Sequence, residues 1–197
     1  HAGNCGDTLS FIPPHFIYIL FKYIVLIFIG WRGGGDNEGK PVLSFHLCHP
    51  DKRFVLALVR MAEMASKDGI TLVVSSAYRS YDYQKTVFEQ NVNEMGRAEA
   101  ERVSAVPGMS QHQLGTVVDF GSISDEFAGS AAERWLASNA GKFGFSLSFP
   151  KGMENITGYK WESWHYRYIS PPAAELQERF FLGIQQYLIE FLAALPN

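Results

Sequence analysis

Histidine stands at positions 1, 15, 46, 49, 112 and 165. Two of these sit among polar and aromatic residues suited to chemistry. Around the first the chain reads Pro107-Gly108-Met109-Ser110-Gln111-His112-Gln113-Leu114-Gly115-Thr116-Val117-Val118-Asp119, and around the second Trp161-Glu162-Ser163-Trp164-His165-Tyr166-Arg167-Tyr168. Two imidazoles, a carboxylate and one further glutamate form a sensible set for a catalytic zinc ion. Three protein ligands leave the fourth tetrahedral position to water, and a nearby carboxylate can take that water's proton. Each motif also has a plainer reading: His112 with Asp119 as a hydrogen-bonded structural pair, and Trp161, Trp164, Tyr166 and Tyr168 as packing.

The spacing sets demands on the backbone. In a straight helix His112 and Asp119 stand about 10.5 Å apart along the axis, and in a strand farther still. Ligand atoms must approach one zinc ion to about 2.0–2.2 Å. The chain therefore has to bend between them, and Gly115 is the residue that permits it. Glu162 and His165 share a face in a helix but oppose each other in a regular strand. The aromatic run Trp164 to Ile169 predicts a strand, so Glu162 is expected on a loop or an irregular lead-in to it.

The elements that position these residues are readable in outline. Phe54 to Lys67 carries Val55, Leu58, Val59, Ala62 and Ala65 at the spacing of one helical face, with Asp51 as its start and Gly69 as its stop. Ile70 to Val74 reads as a short buried strand, and Thr116 to Phe120 as another. Ser80 and Asp82 offer caps for a helix through Thr86 and Phe88, and Ala98 to Val103 predicts a further helix. Ser130 caps one through Trp135 and Leu136. Pro171 and Pro172 open a final helix, with Phe181, Ile184, Leu188 and Phe191 on one stripe, read as core packing. Helices and short strands without a regular βαβ rhythm predict an α+β fold.

The 197 residues suit one domain with a real core, or a domain plus a short appendage. The apolar fraction of 47% is ordinary, and the charged fraction of 19% argues against disorder and against a coiled coil. A net charge of -3 leaves no basic footprint, so nucleic acid is not an expected partner. Charge is unevenly spread: Asp7 and Lys22 are the only charged residues before Arg32. Residues 16–29, FIYILFKYIVLIFI, fall short of the about 20 residues a spanning helix needs. No positive region precedes them, as a signal peptide would require. They read as a folded strand or hairpin, with a membrane-proximal segment as the alternative. The chain opens on His1 rather than Met, as a processed fragment does. Cys5 and Cys48 allow at most one bridge, and His46, Cys48 and His49 read as an ordinary loop for want of a matching second half. Residues 1–50 are thus an apolar N-terminal segment, expected to pack on a main domain of 51–197.

Three stretches together carry a resemblance. Ser75-Ser76-Ala77-Tyr78-Arg79-Ser80 with Gln84, the segment from His112 to Asp119, and Glu162-Ser163-Trp164-His165 resemble, in order and spacing, the three motifs of the VanY-like zinc D-alanyl-D-alanine carboxypeptidases. Trp135-Leu136 with Asn139-Ala140, Phe143-Gly144-Phe145, Phe149-Pro150-Lys151-Gly152 and Thr157-Gly158-Tyr159 are similar to that family as well. The likeness runs from about Phe54 to the final helix, roughly three quarters of the chain. Gln111 stands where such sequences often carry an acid, and Ser163 where proline is frequent. Neither departure removes a ligand.

The resemblance implies a small sheet flanked by helices, the fold shared by D,D-peptidases and hedgehog signalling domains. It implies one zinc ion held by His112, Asp119 and His165, with Glu162 as general base and then proton donor to the leaving amine. Arg79 is expected beside the scissile carbonyl, where a fixed cation stabilises the oxyanion. Ser110 and Gln84 are candidates for holding substrate, and Tyr78 for either a substrate contact or packing. The implied activity removes the C-terminal D-alanine of peptidoglycan stem peptides, in the periplasm or at the outer face of the cytoplasmic membrane. The alternatives are an L,D-carboxypeptidase acting on stem tetrapeptides, a dipeptidase or endopeptidase of related wall bonds, and a non-catalytic zinc-stabilised wall-binding module. Glu162 argues against the last, since a structural site has no need of a base.

Overall fold

A computed structural model of the chain describes residues 24–26 and 51–196. Helix α1 (Lys52–Lys67) begins where the Asp51 carboxylate accepts from the Arg53 backbone N–H and ends before Gly69, whose φ of 76° lies in the left-handed region. Helix α2 (Tyr81–Met95) follows its Ser80 cap, and α3 (Arg97–Val103) succeeds it at once. Helix α4 (Ala131–Asn139) is capped by Ser130, and α5 (Glu154–Thr157) is a single turn.

The strands are β1 (Ile24–Leu26), β2 (Leu72–Ser76), β3 (Val117–Phe120), β4 (Phe145–Leu147) and β5 (His165–Tyr168). They form one sheet in the order β1-β2-β3-β5-β4. β1 runs parallel to β2, and the other pairings are antiparallel. The fold is α+β.

Alternation along the strands divides the sheet's two faces between core and site. Val118 and Phe120 of β3, Tyr166 of β5 and Leu72 and Val74 of β2 join a core cluster with Phe54, Leu58, Met61, Ala62 and Ala65 of α1 and Trp135 and Leu136 of α4. Burying each large apolar side chain there contributes about 1.5–3 kcal/mol relative to exposure. Asp119 and His165, the intervening residues, take the opposite face. A register irregularity between Val74 and Ser76 sets Ser76 opposite Asp119, a re-aiming typical of bulges beside active sites.

The expected final helix is two helices. α6 (Pro171–Phe180) stops, and α7 (Gln185–Ala193) starts after a break in which Leu182 has φ 55° and Gly183 φ 70°. Gln177 holds the break by accepting from the Phe181 and Gly183 backbone N–H groups through its own carbonyl, while its side-chain amide donates to the Gly183 carbonyl. Of the predicted stripe, Ile184 and Leu188 are buried, and Phe181 packs on a half-exposed Phe191 at 5.3 Å between ring centres.

Among the described residues no helix is long and apolar enough to cross a membrane. The Cys5–Cys48 question, the His46, Cys48, His49 cluster and the apolar run apart from 24–26 lie outside the described residues.

Candidate active site

Asp119 and His165 are direct partners across the β3–β5 ladder. Cβ atoms of such a pair stand about 4.5–5.5 Å apart, so the ladder alone brings the two side chains together. His112 arrives from a single 3₁₀ turn, Gln111–Leu114, which closes on Gly115 at φ 70° and leads directly into β3. The bend demanded by the spacing is this turn. Glu162 sits where the chain turns into β5, with the His165 N–H donating to the Glu162 carbonyl at 3.3 Å.

The side chains converge. His112 Nε2 lies 3.2 Å from Asp119 Oδ2, and His165 Nδ1 lies 3.1 Å from Asp119 Oδ1. One ligand atom from each of the three residues falls within 4.8 Å of the others, and all three residues are buried. The other ring nitrogens are occupied. His112 Nδ1–H donates to the Ala77 carbonyl at 2.5 Å, which leaves the Nε2 lone pair facing inward. His165 Nε2 lies 3.3 Å from the Gln111 side-chain oxygen, which leaves Nδ1 facing inward.

Burial is the largest single influence on the titration of all three, but it decides the direction only for His112. For Asp119 it opposes ionisation, but the two imidazoles outweigh it and hold the carboxyl well below the usual carboxylate range. For His112 burial wins over the attraction of Asp119 and pushes the ring down. For His165 the same desolvation is overcome by Asp119 and by Glu162, whose Oε2 lies 3.2 Å from Nδ1, and the ring is raised to about 9.

A divalent cation fits this donor set. Asp119 Oδ1 is buried with no well-aligned hydrogen-bond donor, its nearest polar neighbour being His165 Nδ1 at 3.1 Å, and a cation placed there would satisfy it. Tetrahedral zinc with arms of about 2.0–2.2 Å separates its ligands by about 3.3–3.6 Å. The two imidazole-to-carboxylate distances, 3.2 and 3.1 Å, are slightly shorter than that range, so a small outward shift of the side chains seats the ion. Two nitrogens and one oxygen leave the fourth position open.

A cavity of about 1020 Å³ opens over the cluster, lined by Tyr78, Arg79, Ser110, Trp161 and Glu162 among others. Arg79 is braced on both sides. Nη1 donates to the Gln84 side-chain oxygen at 2.9 Å, and Nη2 donates to Ser76 Oγ at 3.2 Å while standing 3.8 Å from Asp119 Oδ2. Its backbone N–H donates to the His112 carbonyl at 3.2 Å. Gln84 is fully buried, and its amide nitrogen donates to the Ala105 carbonyl at 2.6 Å. Gln84 therefore grips Arg79 rather than presenting its amide freely to the cavity. Ser110 is buried at the head of the His112 turn. Three contributors were not singled out from the sequence: the Ala77 carbonyl, Ser76 as a brace for Arg79, and Gln111 as the partner of His165. Gln111 had a signal, standing between Ser110 and His112, whereas a carbonyl has none because every residue carries one.

The family model for VanY, D-alanyl-D-alanine carboxypeptidase, matches residues 49–171. The chain belongs to the VanY family. The match takes in Arg79, His112, Asp119, Glu162 and His165 alike. Within the family, the D-alanyl-D-alanine carboxypeptidase of Enterococcus faecalis is 35% identical over 147 residues, which are 70% of this chain and 55% of the relative. The chain spans about half the length of the curated relatives it matches. Three solved structures at 34% identity share the fold. The LdcB LD-carboxypeptidase superposes with a TM-score of 0.65 over 71% of this chain and 67% of its own. VanYB in complex with D-alanine-D-alanine gives 0.64 over 74% and 83%. The vancomycin-resistance D,D-pentapeptidase VanY in complex with Zn(II) gives 0.62 over 72% and 83%.

Proposed function

We propose that this chain is a zinc carboxypeptidase that removes the C-terminal D-alanine from peptidoglycan stem peptides. The observation that carries the reading is the buried Asp119 carboxylate, its Oδ2 facing His112 Nε2 and its Oδ1 facing His165 Nδ1, with Glu162 beside the same His165 nitrogen. The VanY relative solved with Zn(II) supports the choice of metal, and the relative solved with D-alanine-D-alanine supports the choice of bond. His112, Asp119 and His165 would hold the ion. When bound, zinc supplies Lewis acidity that makes water a nucleophile near neutral pH and polarises a carbonyl.

The chain's own residues do the rest. Glu162 reaches the cavity from the turn before β5, where its carboxylate takes the proton of the attacking water and passes it to the departing D-alanine amine. Arg79, held by Gln84 and Ser76, is a fixed cation whose charge meets the oxyanion developing on the scissile carbonyl. Its position needs no adjustment during the reaction, which is what makes such a group effective. Ser110 and Tyr78 are candidates for contacts to the substrate's terminal carboxylate and peptide groups. Action on stem peptides places the protein outside the cytoplasm, in the periplasm or at the outer face of the cytoplasmic membrane.

L,D-carboxypeptidase activity on tetrapeptides is the second reading, favoured by a likeness to LdcB equal to that to VanYB. Zinc-loaded protein given defined pentapeptide and tetrapeptide separates the two. The proposal expects D-alanine from the pentapeptide, with the tetrapeptide left intact. D-alanine from the tetrapeptide alone supports the second reading, and release of a dipeptide makes the chain a dipeptidase.

A further inference from the structure

His165 is held by a closed ring of hydrogen bonds that the catalytic reading leaves unused. Its Nε2 lies 3.3 Å from Gln111 Oε1. The same oxygen accepts from Ser148 Oγ–H at 2.8 Å. The Ser148 backbone N–H donates to the His165 carbonyl at 3.1 Å, which closes the ring. Ser148 is buried and is backed by Gln185 of α7, whose side-chain oxygen lies 3.4 Å from Ser148 Oγ and whose amide donates to the Ser146 carbonyl at 3.4 Å.

Other contacts cannot do what Gln111 does. Phe149 packs on the His165 ring at 4.8 Å between centres, and His112 meets it edge-on at 4.9 Å. Such packing sets the plane of the ring but is blind to which nitrogen points where. An imidazole has two inequivalent edges, and only a hydrogen-bond partner on one of them selects the tautomer.

We propose that Gln111 is a positioning residue for His165: its side-chain oxygen, steered by Ser148, accepts the Nε2–H and so keeps Nδ1 as the nitrogen that faces Asp119 and the metal. This rests on the zinc reading of the site. Gln111 touches neither the ion nor the substrate in this role. The acceptor is neutral, so it orients the ring without adding a third carboxylate to a site that already holds Asp119 and Glu162. Through Ser148 and Gln185 the C-terminal helix α7 is tied to the same ring.

The test compares the wild-type chain with Gln111→Leu, which keeps the bulk and removes the acceptor, Gln111→Glu, which keeps an acceptor, and Ser148→Ala. Zinc affinity is measured by competition with a chromophoric chelator. Gln111→Leu is expected to bind zinc about 10–100-fold more weakly. Gln111→Glu should stay within about threefold of wild type, and Ser148→Ala should weaken binding about threefold to tenfold. In 15N-histidine-labelled, zinc-loaded protein the His165 Nε2–H resonance should be protected from exchange in wild type and lost in Gln111→Leu. The His112 Nδ1–H resonance, held by the Ala77 carbonyl, serves as the unchanged control. Wild-type affinity in Gln111→Leu, or equal loosening by Leu and Glu, overturns the proposal. Should Gln111→Leu fail to fold, wild-type affinity in Ser148→Ala overturns it. A wild-type chain that binds no zinc overturns the zinc reading itself, a result distinct from all of these.

Discussion

Asp119 and His165, 46 residues apart in sequence, face each other directly across the β3–β5 ladder with their side chains on the same face of the sheet. The centre of the site is thus built on paired backbone, and His112 is added by the one turn that precedes β3. A site on strands is held more precisely than one on loops. Glu162 and Arg79 reach it from the two flanking segments, and this arrangement makes definite predictions.

Glu162→Ala should slow turnover severely without emptying the metal site. General acid–base groups contribute about 10²–10⁴-fold, so kcat falls by that range while zinc content, measured by atomic absorption, stays at that of wild type. Retained activity would assign the base elsewhere.

Arg79→Ala should cost about 10²–10³-fold in kcat, as removal of an oxyanion donor does. Gln84→Leu leaves the guanidinium in place but takes away its Nη1 partner. A loss between about tenfold and a hundredfold is expected there, since a small misplacement is enough. Steady-state kinetics on one substrate check both, and equal losses would mean that Gln84 does more than brace Arg79.

Zinc uptake should be coupled to proton release. In the metal-free site burial pulls His165 down, yet Asp119 and Glu162 raise it to about 9, whereas burial lowers His112. At pH 7 His165 is therefore protonated, and its ligating nitrogen has to shed that proton. Apparent zinc affinity rises as pH rises toward about 9 and levels off above it. Calorimetry at pH 7 in two buffers of different ionisation heat should give at least about one proton released per ion. The same shift stabilises the metal-free fold fully below about pH 6.5 and is lost as pH climbs through about 9. Affinity independent of pH over 6.5–8.5 would contradict this.

Gly144→Ala should destabilise the fold rather than alter the chemistry. Gly144 has φ 84°, and a Cβ there would meet the Pro171 nitrogen and the Ser170 carbonyl carbon at 2.6 Å, both backbone atoms. The strained conformation and the clash together cost about 3 kcal/mol or more. Chemical denaturation reads the loss, and a variant as stable as wild type would contradict the close approach of α6 to this turn.

The sequence made the ligand chemistry legible because metal ligands are few in kind and their spacing forced a bend at Gly115. Helix starts were equally legible, since Asp51, Ser80 and Ser130 cap by local hydrogen bonds that need no tertiary context. The break at Leu182 and Gly183 was hidden because Phe181, Ile184, Leu188 and Phe191 keep helical spacing straight across it. An isolated glycine inside such a pattern does not by itself announce a break. Strand β2 runs on to Ser76, beyond the apolar residues that marked it, because Ser75 is anchored by its hydroxyl to the Gly121 carbonyl. The pairing of Asp119 with His165 is long-range register, which neither motif encodes on its own.

The most direct test of the whole account is mass spectrometry of a defined stem pentapeptide incubated with protein carrying one zinc ion per chain. The account predicts a product lighter by one alanine residue, free D-alanine in equal amount, and loss of both on chelation with recovery on adding zinc back. A fully zinc-loaded preparation that releases no D-alanine from any stem peptide would contradict it.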